Sequence, residues 1–305
     1  MNERPDQSEF EEIALLTGIE PAFIEKDWFV TQVVATLANF KYEGVEFIFA
    51  GGTALSKAHN LIKRFSEDVD FRVIVPQAQQ VRSKLSKLKH AVLSHLRESG
   101  FGISDAQVTA RDDNRHVAFE FDYPSHFQSP EALRAHVQIE ITVRAAQYLG
   151  IHLPVSSFVS TAYSRLPEVD RISCINPVES AADKLSALAW RIPSRIRGSE
   201  ADDPAIVRHL HDLAMIKDRA LADAHFPVLV MMSMQEDDRR APSLSGLPIA
   251  EKFRQMLETL ELDPEYPIEY DTFVRGVSYA VEGEFPDFST AMMAVRELVQ
   301  RASIQ

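Results

Sequence analysis

Cysteine is almost missing from this 305-residue chain. Cys174 stands alone, so no internal disulfide can form, and a reducing compartment is the simple expectation. No apolar run approaches the ~18 residues needed to span a bilayer, and Phe226-Pro-Val-Leu-Val-Met-Met232 is far too short. The opening Met-Asn-Glu-Arg-Pro-Asp-Gln lacks the basic-then-apolar pattern of a secretion signal, so the expected location is the cytoplasm, with no membrane partner. Positive charge is also scarce: 32 Lys and Arg face 45 Asp and Glu, a net charge of −13. That balance argues against broad, nonspecific adhesion to nucleic acid, although a local basic groove remains compatible with it. Two cationic clusters could form one. Arg82, Lys84, Lys87, Lys89, His90 and Arg97 make the first, for which a solvated helix face is the plainer reading; Arg191, Arg195 and Arg197 make the second.

What is present is a soluble globular composition, 45% hydrophobic and 25% charged, long enough for one large domain or two ordinary ones. Its most informative stretch is Phe49-Ala-Gly-Gly-Thr-Ala-Leu-Ser-Lys57, followed by Phe65-Ser-Glu-Asp-Val-Asp-Phe71. An apolar run ends in paired glycines, Gly51 and Gly52, and a small hydroxyl residue, Thr53. A turn without Cβ atoms lets backbone N–H groups approach phosphate at a helix N-terminus. Asp68 and Asp70 then stand one residue apart, so on a strand they project from one face. Paired carboxylates suit a divalent cation bound through oxygen. Phosphate cradle plus metal carboxylates is the equipment for phosphoryl or nucleotidyl transfer.

These residues resemble the nucleotidyltransferase superfamily motif of the DNA polymerase beta type, a glycine turn followed by Asp-x-Asp. More narrowly, Gly51 to Lys57 with Arg64-Phe-Ser-Glu-Asp-Val-Asp70 resembles the AbiEii/AbiGii toxin family of type IV toxin–antitoxin systems, which is related to the MenT toxins. Ile24-Glu-Lys-Asp-Trp28 looks like that family's opening segment. The match is strong over roughly residues 20–75 and weaker over 135–217. Two departures stand out: the spacer from Gly52 to Asp68 is longer than in the general pattern, and Thr53 occupies a position where serine or a second glycine is common. The resemblance implies an α+β nucleotidyltransferase fold, a mixed sheet flanked by helices, with a helical C-terminal half.

Hydrophobic periodicity gives the elements. Residues 8–18 and 21–39 read as helices, Val45 to Ala50 as a buried strand, Thr53 to Lys63 as a helix, Asp68 to Val75 as a strand stopped by Pro76, and 77–98 as a long helix. Apolar and polar residues alternate over 117–123 and 137–143, which predicts two half-buried strands, and Leu153 to Phe158 fits a short edge strand. From Asn176 onward the pattern is mainly helical; Asn176-Pro177 and Asp203-Pro204 are helix starts, and Pro193 interrupts between them. The expected division is a catalytic domain over 1–172 and a mainly helical domain over 173–305 that completes the nucleotide and acceptor site.

Asp68 and Asp70 head the candidate metal ligands. Glu140, on the polar face of the 137–143 strand, is the best third carboxylate, since a strand glutamate among apolar neighbours is costly without a cation or partner. Glu120 and Asp122 are its rivals. Nucleotidyltransferases place their third carboxylate on such a strand, so the resemblance favours the same residue. Glu140 or Asp70 could also help to deprotonate the acceptor. Thr53 and Ser56 could bond phosphate oxygens, with helix capping the equal competitor for Thr53, and Lys57 is expected to contact phosphate or acceptor; Arg64 and Arg72 flank the site and could serve similarly. The resemblance assigns Lys184, otherwise a snorkelling surface lysine, to the nucleotide phosphates. It assigns Asp212 to orienting Lys184 or the base; an i,i+4 pair with Arg208 is the duller alternative.

The expected function is Mg²⁺- or Mn²⁺-dependent transfer of a nucleoside monophosphate from an NTP to a hydroxyl. As the resemblance implies, the acceptor would be RNA, namely the tRNA 3′ end, with growth arrest as the outcome and a cognate antitoxin as partner. Arg191, Arg195 and Arg197 could then hold the acceptor backbone. The competing readings are a small-molecule or protein hydroxyl as acceptor, a decayed nucleotide-binding module, and an Asp-x-Asp phosphatase. The last is disfavoured by Arg72 two residues after Asp70 and by the glycine turn.

Overall fold

A strand pattern that alternates cleanly from residue 136 to 143 needs a sheet with one face closed and one open, and the chain builds one. The computed structural model describes residues 3–130, 133–200, 202–238, 244–280 and 284–303. The elements in chain order are α1 (Gln7–Thr17), α2 (Pro21–Asn39), β1 (Glu46–Ala50), α3 (Gly51–Thr53), β2 (Asp68–Ile74), α4 (Arg82–Glu98), β3 (Val108–Arg111), β4 (His116–Asp122), β5 (His136–Val143), β6 (Ile151–Val155), α5 (Phe158–Ala162), β7 (Val169–Cys174), α6 (Pro177–Ser194), α7 (Arg208–Ala222), α8 (Phe226–Asp237), α9 (Ile249–Leu262), α10 (Glu265–Val277) and α11 (Phe288–Ser303). The fold is α+β: a mixed sheet with helices.

By contacts the chain divides into two compact units. The first holds residues 1–60 and 65–175, and the second holds 61–64 and 176–305. The seven strands found among the described residues lie in the first unit, in the order β3-β4-β5-β2-β1-β7-β6. β2 runs parallel to β5 and antiparallel to β1, and β1 runs parallel to β7. On the closed face Val69, Phe71 and Val73 of β2, Val137, Ile139 and Ile141 of β5, and Val117, Phe119 and Phe121 of β4 join Trp28, Val30 and Val33 of α2 and Leu85, Leu88 and Val92 of α4 in one core. β3 and β7 were not marked by the sequence pattern; β3 has only four residues, three of them exposed, so it carries almost no periodicity.

Local chemistry explains several boundaries. Asp6 caps α1 in a capping box with Glu9, and Gly18 ends it in the left-handed region at φ 73°. Asn176 caps α6 by accepting from the Val178 N–H at 2.9 Å, with Pro177 at the first helical position. Pro193 does not break this helix early, because it falls within the last turn before Ser194. The helix expected over 53–63 is shorter: α3 passes into one wide π-type turn over Ala54–Ala58 and stops. Residues 61–64 then leave the first unit. Arg64 bridges to Ser278, and the Lys63 carbonyl accepts from the Tyr279 N–H at 3.1 Å. In the second unit the apolar stripes of α6 and α7 (Leu185, Leu188, Ile192; Leu210, Leu213, Ile216) are fully buried.

Candidate active site

The glycine turn follows from β1. The strand delivers Ala50 opposite Asp70, and the chain turns at once at Gly51, whose φ of +71° lies in the region that side-chain-bearing residues avoid. A Cβ on Gly51 would stand 1.8 Å from Asp70 Oδ2. Glycine is therefore required twice, for the turn and for the room Asp70 occupies. Gly52 and Thr53 behind it are buried. The Thr53 hydroxyl donates to the Asp68 carbonyl, and Ser56 Oγ donates back to the Thr53 carbonyl at 3.2 Å. Both hydroxyls therefore tie the turn to β2 and to itself; neither caps the helix, whose first turn has no side-chain cap.

Asp68 and Asp70 share the open face of β2, and the parallel register sets Asp70 beside Glu140 and Asp68 beside Gln138. Adjacent strands lie ~4.8 Å apart, so the Asp70 and Glu140 side chains rise as neighbours. Glu120 pairs with Gln138 and Asp122 with His136, which leaves both a strand further from β2 than Glu140. The three favoured carboxylates are half-buried. Each Asp68 and Glu140 has a protein donor: Arg134 Nη2 reaches Asp68 Oδ1 at 2.7 Å, and Gln138 Nε2 donates to Glu140 Oε1. Among the described residues, no three of His, Cys, Asp and Glu converge as a ready metal cage. The donor chemistry nevertheless fits a hard cation: hard oxygen ligands only, on one face, in adjacent register, beside a glycine that Asp70 overlies.

Behind this face lies a segment in which three consecutive charges are buried on one helix. Glu25, Lys26 and Asp27 of α2 are at most 3% exposed. Such charges persist only when each is paired. Glu25 accepts from Arg4 at 2.6 Å, from Ser125 and from the His126 N–H. Lys26 donates to Glu67 and to the Arg134 carbonyl at 2.6 Å. Asp27 takes Lys57 and the Phe158 N–H. Burial lowers the Lys26 ammonium pKa, with Glu67 opposing the shift; burial likewise pushes the Asp27 carboxyl up, against Lys57. Lys57, expected to face phosphate or acceptor, is thus almost buried against Asp27 and lies over the Phe158 ring at 5.4 Å. The physical reason is Asp27, whose charge would otherwise be stranded.

The second unit carries its own charged cluster. Arg64 clamps Asp212 through two bonds of 2.7 Å, Lys184 Nζ lies 2.8 Å from Asp212 Oδ2, and His211 Nδ1 is 3.3 Å from Oδ1. All four residues are buried. Burial alone would raise the Asp212 carboxyl; Arg64 and then Lys184 outweigh it and hold it well below the usual range. Asp212 pairs with Lys184, and the arginine it pairs with is Arg64, not Arg208, which turns to Asp203 at 3.5 Å. Arg64 is therefore committed within this cluster. Arg72 is buried on β2 and donates to the Ala145 carbonyl at 3.3 Å.

The arginines proposed for an acceptor backbone are also engaged. Arg195 bonds both Glu269 oxygens at 2.6 and 2.8 Å and Asp202 at 2.7 Å, Arg197 bonds Asp263 and Glu269, and Arg191 bonds Asp203 at 2.6 Å. Tyr266 lies beneath Arg195 and Arg197. On α4, Arg82, Lys84, Lys87, His90 and Arg97 are exposed opposite the buried Leu85, Leu88 and Val92. Sequence reasoning missed Arg134, Glu67 and Gln138. Arg134 sits in a loop without a motif, and only the proximity of Glu67 to the Asp-x-Asp pair hinted at it.

No curated protein matches this sequence. Among solved structures, the MenT4 nucleotidyltransferase toxin of Mycobacterium tuberculosis H37Rv superimposes with a TM-score of 0.61 at 17% identity, covering 99% of this chain and 90% of that one. A STING-associated CdnE c-di-GMP synthase from Capnocytophaga granulosa aligns with a TM-score of 0.28 at 13% identity over 99% and 87% of the two chains, too loosely to carry an argument. The family model for the nucleotidyl transferase AbiEii toxin of type IV toxin–antitoxin systems matches residues 36–294, and the chain belongs to that family of nucleotidyltransferases.

Proposed function

We propose that the protein transfers a nucleoside monophosphate from an NTP to an RNA hydroxyl, at the tRNA 3′ end, and arrests growth as the toxin of a type IV system with a cognate antitoxin. The acceptor oxygen forms a bond to the α-phosphorus, the α–β phosphoanhydride bond breaks, and pyrophosphate leaves with the pair of electrons. The observation that supports this reading is the register that sets Glu140 beside Asp70, with Asp68 on the same face and Gly51 under Asp70. Asp68, Asp70 and Glu140 would hold Mg²⁺ or Mn²⁺, which when bound neutralises the triphosphate and favours in-line attack. Asp70 or Glu140 accepts the acceptor proton. The backbone N–H groups after Gly51 and Gly52 suit phosphate oxygens. Thr53, Ser56 and Lys57 act from behind the turn by fixing its shape. Lys184, its ammonium oriented by Asp212, is the proposed phosphate cation of the second unit. The division expected from sequence, catalytic 1–172 and helical 173–305, is part of this proposal.

A small-molecule or protein hydroxyl is the second reading. It is favoured by the net charge of −13 and by the acids that already engage Arg195 and Arg197. Incubation with each α-³²P NTP, Mg²⁺ and total RNA separates the two. Label migrating with tRNA, and lost in Asp68→Ala, supports the proposal; undiminished labelling in that variant refutes the site, and label in the small-molecule or protein fraction moves the acceptor. No described helix is long and apolar enough to cross a membrane.

A further inference from the structure

Arg134 uses all three guanidinium nitrogens on the open face of the sheet. Nε donates to Glu67 Oε1 at 2.8 Å, Nη2 to Asp68 Oδ1 at 2.7 Å and Nη1 to Gln138 Oε1 at 2.9 Å. Its own backbone is held as well, since its N–H donates to Glu67 at 2.9 Å and its carbonyl accepts from the buried Lys26. Gln138, with its oxygen turned toward Arg134, presents its NH₂ to Glu140. One side chain thus fixes Asp68 directly and Glu140 through an amide, while Glu67 holds that side chain and Lys26 holds its backbone carbonyl. The Arg134 side chain is nevertheless 39% exposed, far more than a purely structural buried pair would leave it.

We propose that Arg134 is a positioning residue that holds Asp68 and, through Gln138, Glu140 in place, and that its charge competes with the divalent cation those carboxylates are to bind. It rests on the reading of Asp68, Asp70 and Glu140 as metal ligands. The physical logic has two opposed parts. A guanidinium in a fixed fork confines two carboxylates to one orientation each, which speeds chemistry by pre-arranging ligands. The same positive charge disfavours an incoming dication. Charge and geometry therefore separate under two substitutions.

The test is a Mn²⁺ titration of the full-length protein without nucleotide, read as free-ion electron spin resonance, together with turnover at saturating Mn²⁺. Arg134→Gln removes the charge, and its Mn²⁺ Kd is expected to fall severalfold, the Coulomb direction of deleting one positive charge beside a dication site. Its turnover falls despite the tighter binding. Arg134→Lys keeps the charge without the three-way fork; its Mn²⁺ affinity stays near wild type while turnover still falls. Unchanged or weaker Mn²⁺ binding in Arg134→Gln, or wild-type turnover in Arg134→Lys, overturns the proposal. Thermal melts without metal check that both variants are folded. If Asp70→Asn leaves the Mn²⁺ affinity of the wild-type background intact, the carboxylate assignment itself fails, an outcome distinct from failure of the Arg134 role.

Discussion

Asp70 lies over Gly51 so closely that its Oδ2 stands 1.8 Å from where any other residue would carry a Cβ. The glycine turn and the Asp-x-Asp pair are therefore one packed object. Gly51→Ala must displace the Asp70 carboxylate and also adopt φ +71°, a conformation costing about 1–2 kcal/mol for an L side chain. The expected result is loss of nucleotide transfer with a drop in melting temperature too small to unfold the protein. Labelled-NTP transfer and a thermal melt, taken together, check it.

Register distinguishes among the strand carboxylates. Glu140 is beside Asp70, whereas Glu120 is opposite Gln138 on the next strand. Glu140→Gln is expected to lose transfer at any Mn²⁺ concentration, and Glu120→Gln to keep it within a few-fold. Equal losses in the two variants would contradict the assignment.

Lys57 and Asp27 form a buried pair, so breaking it from one side strands a charge. Lys57→Met is expected to cost about 3–5 kcal/mol, and adding Asp27→Asn to recover a large part of it. Urea melts of the two singles and the double complete the cycle. Additive losses would show that the pair is not coupled.

Asp212 gives a pH signature. Its folded pKa is held well below the ordinary 3.8, so the stability it adds is complete above that value and is lost as pH falls toward the folded one. Asp212→Asn should therefore be less stable at neutral pH and lose less on acidification below about pH 4. Denaturation curves across that range measure it; parallel acid limbs for wild type and variant would exclude the linkage.

Much of the first unit, and the start of α6 in the second, was legible because the signals there are local. Alternation over 137–143 gave β5 and put Glu140 on the polar face; the paired glycines after an apolar strand gave the turn; Asn176-Pro177 gave the start of α6. What failed were readings that treated charge as free. Lys57 looked available because helical spacing says nothing about a buried aspartate thirty residues away in the chain, at a separation of 30. Arg195 and Arg197 looked like a phosphate track because Glu269 is 74 and 72 residues further on. Residues 61–63, read as the end of a helix, belong with Arg64 to the second unit, where Arg64 answers Asp212.

By itself the sequence determined most of the elements, the glycine turn and the facing of Asp68 and Asp70, since strand and turn chemistry act over a few residues. Only the tertiary structure decided which carboxylate stands beside Asp70 and which cations are already occupied. Strand pairing and buried ion pairs are set by long-range packing: Arg134 meets Asp68 across 66 positions and Arg64 meets Asp212 across 148. No periodicity encodes such partners; they follow from the requirement that each buried charge find an opposite one.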